Sequence, residues 1–302
     1  MSKPDLPTET FHGHIGRTFA ESEPWFEEPV HPADDSPNVV VVLLDDTGFA
    51  QLGCYGSEID TPHIDELAAN GLQFTNFHVT PLCSPTRASL LTGRSQHAVG
   101  MRAVSNFQTG FPHQLGHISN HAATVAEVLQ AEGYATFCTG KWHLAPMEQC
   151  SAAGPFEQWP LARGFDRFYG GLSGAFNYFK PGGGRGMSLG NDPVDTDDDF
   201  YATDKFTDVA CDFISDACDT DDRPFFLYLA YNAPHWPLNA KVEDFEKYKG
   251  KYSTGWDALM KNRLAKQVEI GLFPPDTAAA PHEGPVWNGL KDKKREELDA
   301  IM

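Results

Sequence analysis

PLCSPTRASLLTGR, residues 81–94, sets three unlike residues at fixed spacing: Cys83, Pro85 and Arg87. Pro85 suits the first turn of a helix, where its missing N–H is no loss. The spacing therefore predicts a helix over 86–93, with Gly93 as the stop. Cys83 then lies at the positive end of that helix, where anions are held. Arg87 lies one turn on and faces the same spot. An anion is the expected neighbour. On these residues alone Cys83 has three readings: a buried small hydrophobe, a thiolate nucleophile of the Cys-x5-Arg phosphatase kind, or a role tied to the whole Cys-x-Pro-x-Arg motif. The second reading fits poorly, because Arg87 stands closer to the cysteine than that loop requires.

Other residues with chemistry follow apolar runs. Asp45 and Asp46 end the run at 38–46, NVVVVLLDD. Adjacent carboxylates repel unless a cation sits between them, and hard divalent cations take oxygen ligands; a helix N-cap or solvated turn is the plainer reading. Lys141 and His143 lie in GKWH after the strand-like YATFCT at 134–139. His235 lies between two prolines in NAPHWP after PFFLYLAY at 224–231, as part of a site or a rigid turn. Asn177 and Tyr178 are candidates for a substrate side, whereas Trp142 and Trp236 read as pocket packing. His63, His78, His97, His113, His117 and His121 match no pattern and read as structural or exposed.

The elements that must position these residues alternate. The run 38–46 is continuous and apolar, as in strands buried on both faces. TPHIDELAANG predicts a helix with Thr61 as N-cap, Pro62 in its first position and Gly71 as stop. LQFTNFHV at 72–79 alternates like a strand. Thr124 and Glu127 form a capping box before a helix ending at Gly133. Phe206, Val209, Ala210, Phe213, Ile214 and Ala217 recur at helical spacing, and 179–199 reads as a glycine- and aspartate-rich surface loop. The class is α/β with a mostly parallel sheet flanked by helices. Ligands bind outside the carboxyl ends of the strands in such sheets, so Asp45, Asp46, Cys83, Arg87, Lys141, His143 and His235 are expected to converge on one edge.

Composition narrows the partners. The chain has 302 residues, 41% apolar, with 42 acidic and 23 basic side chains and a net charge of −19. That length supports a full core. The acidic balance argues against a nucleic-acid partner, and an anionic substrate needs a basic pocket that opposes the global field. No apolar run nears the roughly 18 residues of a membrane span, so no membrane partner is expected. The first 37 residues read as an extended, Pro-rich lead-in without a signal-peptide pattern. Cysteines 54, 83, 138, 150, 211 and 218 show no CxxC pair. Reduced thiols in the cytoplasm are the expectation, and a zinc site is not.

Cys-x-Pro-x-Arg followed by ASLLTGR resembles the signature of the type I, formylglycine-dependent sulfatases of the alkaline phosphatase superfamily. VVLLDDTGFAQLGCYG, TGKWHL and APHWP resemble further active-site segments of that family, and RGFDRFYGGLSGAFNYF is similar in style to bacterial arylsulfatases. The resemblance covers 38–302, as the N-terminal part of a sulfatase catalytic domain with an alkaline-phosphatase-like fold, and leaves 1–37 outside. It implies a sulfuric ester hydrolase acting on a small-molecule sulfate ester, with aryl sulfates foremost. Cys83 would be oxidised to formylglycine by a formylglycine-generating enzyme, and its hydrate would be the nucleophile. Asp45, Asp46 and the modified Cys83 would ligate Ca2+, or Mg2+. Arg87 would stabilise the hydrate, Lys141 would bind the sulfate oxygens, His143 would help expel sulfate and His235 would protonate the leaving alcohol.

The family's later Asp-Asn metal pair and second lysine are not found, and Asn191-Asp192 has the reverse order. The expectation is that they lie beyond Met302 and that this chain underfills a calcium shell of about six to eight oxygens. Two alternatives stand beside the sulfatase reading. One is a phosphonate monoester hydrolase or phosphodiesterase of the same superfamily; the other is a truncated, inactive anion-binding chain.

Overall fold

The computed structural model describes residues 11–26, 28–182, 186–220, 223–280 and 284–301. Six strands form one sheet: β1 (Val39–Leu43), β2 (Ala135–Lys141), β3 (Arg167–Gly171), β4 (Met187–Leu189), β5 (Asp192–Val194) and β6 (Phe225–Ala230), in the order β1-β6-β2-β3-β4-β5. β1, β6, β2 and β3 are mutually parallel; β4 pairs antiparallel with β3, and β5 antiparallel with β4. Seven α-helices are described: α1 (Pro62–Asn70), α2 (Cys83–Thr92), α3 (Val125–Ala131), α4 (Ala202–Thr220), α5 (Val242–Tyr248), α6 (Trp256–Glu269) and α7 (Asp292–Asp299).

The period of two in β6 divides the core. Phe226, Tyr228 and Ala230 join Ala88 and Leu91 of α2, Ala126 of α3, and Trp142, Trp159 and Phe165 on one face. Phe225, Leu227 and Leu229 join Phe137 and the Phe206–Val209–Phe213 stripe of α4 on the other. Each such side chain contributes roughly 2 kcal/mol by leaving water, and together they fix the register that sets Lys141 at the end of β2. The Thr124–Glu127 capping box starts α3: Glu127 N donates to Thr124 Oγ1 at 3.0 Å and Thr124 N donates to Glu127 Oε2 at 2.6 Å.

Several expectations are corrected. β1 is shorter than 38–46 and is half-buried on one face, through Val39, Val41 and Leu43, with Val40 and Val42 exposed on the other. The face carrying Val40 and Val42 is left uncovered, so the apolar run does not mean burial on both faces; among the described residues β1 pairs with β6 alone. Residues 72–79 form no strand, since no neighbouring strand offers them a ladder. The loop assigned to 179–199 contains the β4–β5 hairpin, although 183–185 within it lie outside the described residues. α2 begins at Cys83, two residues before Pro85. Of the lead-in, 1–10 lie outside the described residues; the rest carries a short turn at Phe19–Glu21 and a His14–Glu23 bridge. None of the six cysteines is in a disulfide, and no described helix is long and apolar enough to cross a membrane.

Candidate active site

The N-terminus of α2 and the C-terminal end of β2 meet edge to edge. Leu82 enters α2 in an extended conformation, Cys83 takes the first helical position, and Gly93 closes the helix with φ +63°. Cys83 Sγ lies 3.1 Å from Nδ1 of His143, two residues past Lys141. The other ring nitrogen, Nε2, is 2.6 Å from Asn106 Oδ1. An amide oxygen only accepts, so Nε2 carries the proton and Nδ1 presents its lone pair to the sulfur. Ser84 Oγ donates to the His143 carbonyl at 2.7 Å and accepts from Ser105 N at 3.1 Å, which ties α2 to both. Gly174 is packed against the imidazole: a Cβ there would fall 2.3 Å from the ring.

Behind this pair lies a buried charge cluster. Asp45 Oδ2 contacts the Lys141 ammonium, and Asp45 Oδ1 is 3.4 Å from Arg87 NH2. Arg87 NH1 also donates to the Lys141 carbonyl at 2.6 Å. Lys141 is fully buried, and Arg87 and Asp45 nearly so. Burial, together with the positive charge of Arg87, lowers the Lys141 pKa from its ordinary value. Burial alone would lower that of Arg87 too, but the Tyr228 oxygen, the Asp45 carboxylate and the Cys83 sulfur hold it above its ordinary value. Burial, with Lys141, Arg87 and His235 adding to it, pushes His143 well below the ordinary imidazole range, so the ring is neutral at pH 7 and its Nδ1 is free to accept a proton.

Asp46 and His235 form a second, wetter pair. His235 Nε2 lies 3.6 Å from Asp46 Oδ2, and Asp46 is 61% exposed. The two segments are stitched by Asp45 N donating to the Ala233 carbonyl at 3.0 Å. Tyr178 OH donates to the His235 carbonyl at 2.5 Å. Asp46 and His143 are the described non-glycine residues with positive φ, at 62° and 52°. Such strain persists where the surroundings over-determine the backbone, as they do at functional sites.

The structure therefore brings together Cys83, Arg87, Lys141, His143 and Asp45, with Asp46 and His235 beside them. Tyr178 supports the His235 backbone, while Asn177 Oδ1 accepts from Phe179 N and Lys180 N in a local turn. Trp142 is core: its indole packs on Phe165 and donates to the Gln158 carbonyl. Trp236 is 72% exposed, so the expectation that it packs a pocket is wrong. His63, His78, His97, His113 and His121 are exposed, and His117 is half-buried. Sequence reasoning missed Asn106 and Ser105, which lie in loops without periodic neighbours, and Asn232. Both side-chain amide atoms of Asn232 are buried without a partner, as is Arg87 Nε. Asn232 lies two residues past the end of β6, where the same strand-end rule singles out His235.

Asp45, Asp46 and the Cys83 side chain are the groups a calcium ion would take. They do not fit one as arranged. Both Asp45 oxygens carry a cationic partner and Asp46 turns to His235. Among the described residues no set of three or more His, Cys, Asp or Glu side chains gathers around one point.

The sulfatase family model matches residues 37–280. An uncharacterized sulfatase of Schizosaccharomyces pombe is 35% identical over 283 residues, spanning 86% of this chain and 49% of that protein. An arylsulfatase of Klebsiella aerogenes is 27% identical over 280 residues, spanning 89% and 58%. The crystal structure of Ps i-CgsB shares 32% identity at a TM-score of 0.62, over 78% of this chain and 55% of that one. The same protein has been solved in complex with k-i-k-neocarrahexaose. The chain spans about half the length of the curated relatives it matches.

Proposed function

The chain belongs to the sulfatase family, and on that footing we propose that it hydrolyses sulfuric esters of small molecules at Cys83, after oxidation of that residue to formylglycine by a maturation enzyme. The observation that carries the reading is the Cys83–His143 contact at the mouth of α2, with Lys141 and Arg87 buried behind it. The Cys83 sulfur is close enough to act on both cations, favouring their charged forms. An aldehyde hydrate at that position supplies two hydroxyls, one to attack sulfur and one to drive sulfate out, which a serine lacks.

The chain's own residues do the rest. Neutral His143 accepts the hydroxyl proton at Nδ1 while Asn106 holds the ring. The α2 N-terminus, Lys141 and Arg87 offset the charge on the sulfuryl oxygens; fixed positive groups in a dry site act strongly on developing charge. The unpartnered Arg87 Nε and Asn232 amide support a polar occupant here, since buried polar groups without partners are costly. His235, on the wetter side, protonates the departing alcohol. Substrates are aryl or saccharide sulfates; the oligosaccharide in the Ps i-CgsB complex supports the second class.

The test is turnover of 4-nitrophenyl sulfate against an aryl phosphodiester by matured protein. Multiple turnover with preference for the sulfate, lost in Cys83→Ser, is expected. Preference for the diester would move the reading to a phosphodiesterase of the same superfamily.

A further inference from the structure

The Asp45 contacts carry an inference that stands apart from the hydrolytic reading. A buried carboxylate needs a compensating charge. In this chain that charge comes from the fold: the Lys141 ammonium on Oδ2 and the Arg87 guanidinium on Oδ1. We propose that Lys141 is the resident cation of the Asp45 site, holding the place a divalent metal ion would take, so that a metal ion binds Asp45 only by displacing the ammonium.

Three features of the chain favour lysine as the exchangeable partner over Arg87. The Arg87 guanidinium is pinned from several sides, to the carbonyls of Lys141 and Tyr231 and the Tyr228 hydroxyl. Among the described residues the Lys141 ammonium hydrogen-bonds to Asp45 alone. A lysine ammonium is also a compact point charge on a flexible stem, whereas arginine is a fixed fork. The ion pair is thus the one contact at Asp45 that can open without dismantling the α2–β2 junction. Asp46 is already exposed and next in sequence, so it becomes a second oxygen donor once Asp45 is released.

The proposal differs from a simple shortage of ligands. If too few oxygens were the whole obstacle, removing Lys141 would change nothing. The probe is calcium chloride alone, titrated calorimetrically into the wild-type chain and into Lys141→Met, which keeps the length of the side chain but not its charge. The variant is expected to bind Ca2+ at least about tenfold more tightly than wild type. Equal or weaker binding by the variant overturns the proposal. Should Lys141→Met fail to fold, Asp45→Asn decides. If Asp45 is the counterion of Lys141, the variant melts several degrees below wild type in EDTA, because two buried cations lose their partner. If Asp45 is instead kept for a metal, its neutralisation leaves the melting temperature in EDTA unchanged or raised, and the proposal fails.

Discussion

Asn106 Oδ1 sits 2.6 Å from Nε2 of His143, so the ring turns its other nitrogen to the Cys83 sulfur, 3.1 Å away. One amide oxygen thereby selects the tautomer that can accept a proton from residue 83. The corresponding partners of metal-ligating histidines carry about a 10- to 100-fold effect when removed, and the same scale is expected for a ring held to accept a proton. Asn106→Ala is expected to lower kcat on an aryl sulfate by about tenfold or more, with KM little changed. Asn106→Asp, which keeps the acceptor, is expected to recover most of that loss. Equal kcat in wild type and Asn106→Ala would remove Asn106 from the account.

His235 faces the exposed Asp46, and in the proposed reaction it is the acid that protonates the leaving alcohol. An acid matters most when the leaving group is poor. His235→Ala should cost about 100-fold on an alkyl sulfate and far less on 4-nitrophenyl sulfate. A parallel loss on both would mean that His235 serves binding or structure.

Gly140 carries the site on its shoulders: it precedes Lys141 in β2, has φ +102°, and leaves room for the Ala230 carbonyl of β6, which a Cβ would meet at 1.9 Å. Gly140→Ala combines a forbidden backbone with a steric clash and is expected to lose more than about 3 kcal/mol of stability. Chemical denaturation checks this; a loss under about 0.5 kcal/mol would contradict the packing described.

α6 is docked by a pair that responds to acid. Arg263 Nε donates to Glu58 Oε2 at 2.7 Å, and Gln267 Nε2 donates to the Tyr55 carbonyl at 3.1 Å. The hydrogen bonds from Arg263 lower the Glu58 pKa from its ordinary value. A depressed carboxyl contributes stability that is present above its unfolded pKa, about 4.3, and is lost as pH falls through the folded value. Wild type should therefore melt above Glu58→Gln at pH 7 and lose that advantage below about pH 4. A gap that stays constant with pH would show that the pair does not set it.

What could be read from the sequence was local chemistry. Cys83 and Arg87 are one helical turn apart on α2, Lys141 ends β2, and His143 and His235 lie just past strands, so their order along the chain pointed to one edge. The alternation at 72–79 misled because a strand exists only where a neighbour supplies its ladder. β1 misled for a related reason: its valines describe a strand, and only tertiary packing decides that the face with Val40 and Val42 stays exposed. The short β4–β5 hairpin hides in glycine- and aspartate-rich sequence, too brief for a periodic signal. Asn106 reaches His143 across 37 residues, a contact of tertiary structure that no window of sequence contains.

The central claim is that residue 83 works as an aldehyde hydrate and not as a thiol. Mass spectrometry of the peptide carrying Cys83, from protein purified from its own source and active on a sulfate ester, tests it most directly. The account predicts a peptide in which Cys83 has exchanged its sulfur and two hydrogens for one oxygen. Active protein whose Cys83 is entirely thiol would contradict it.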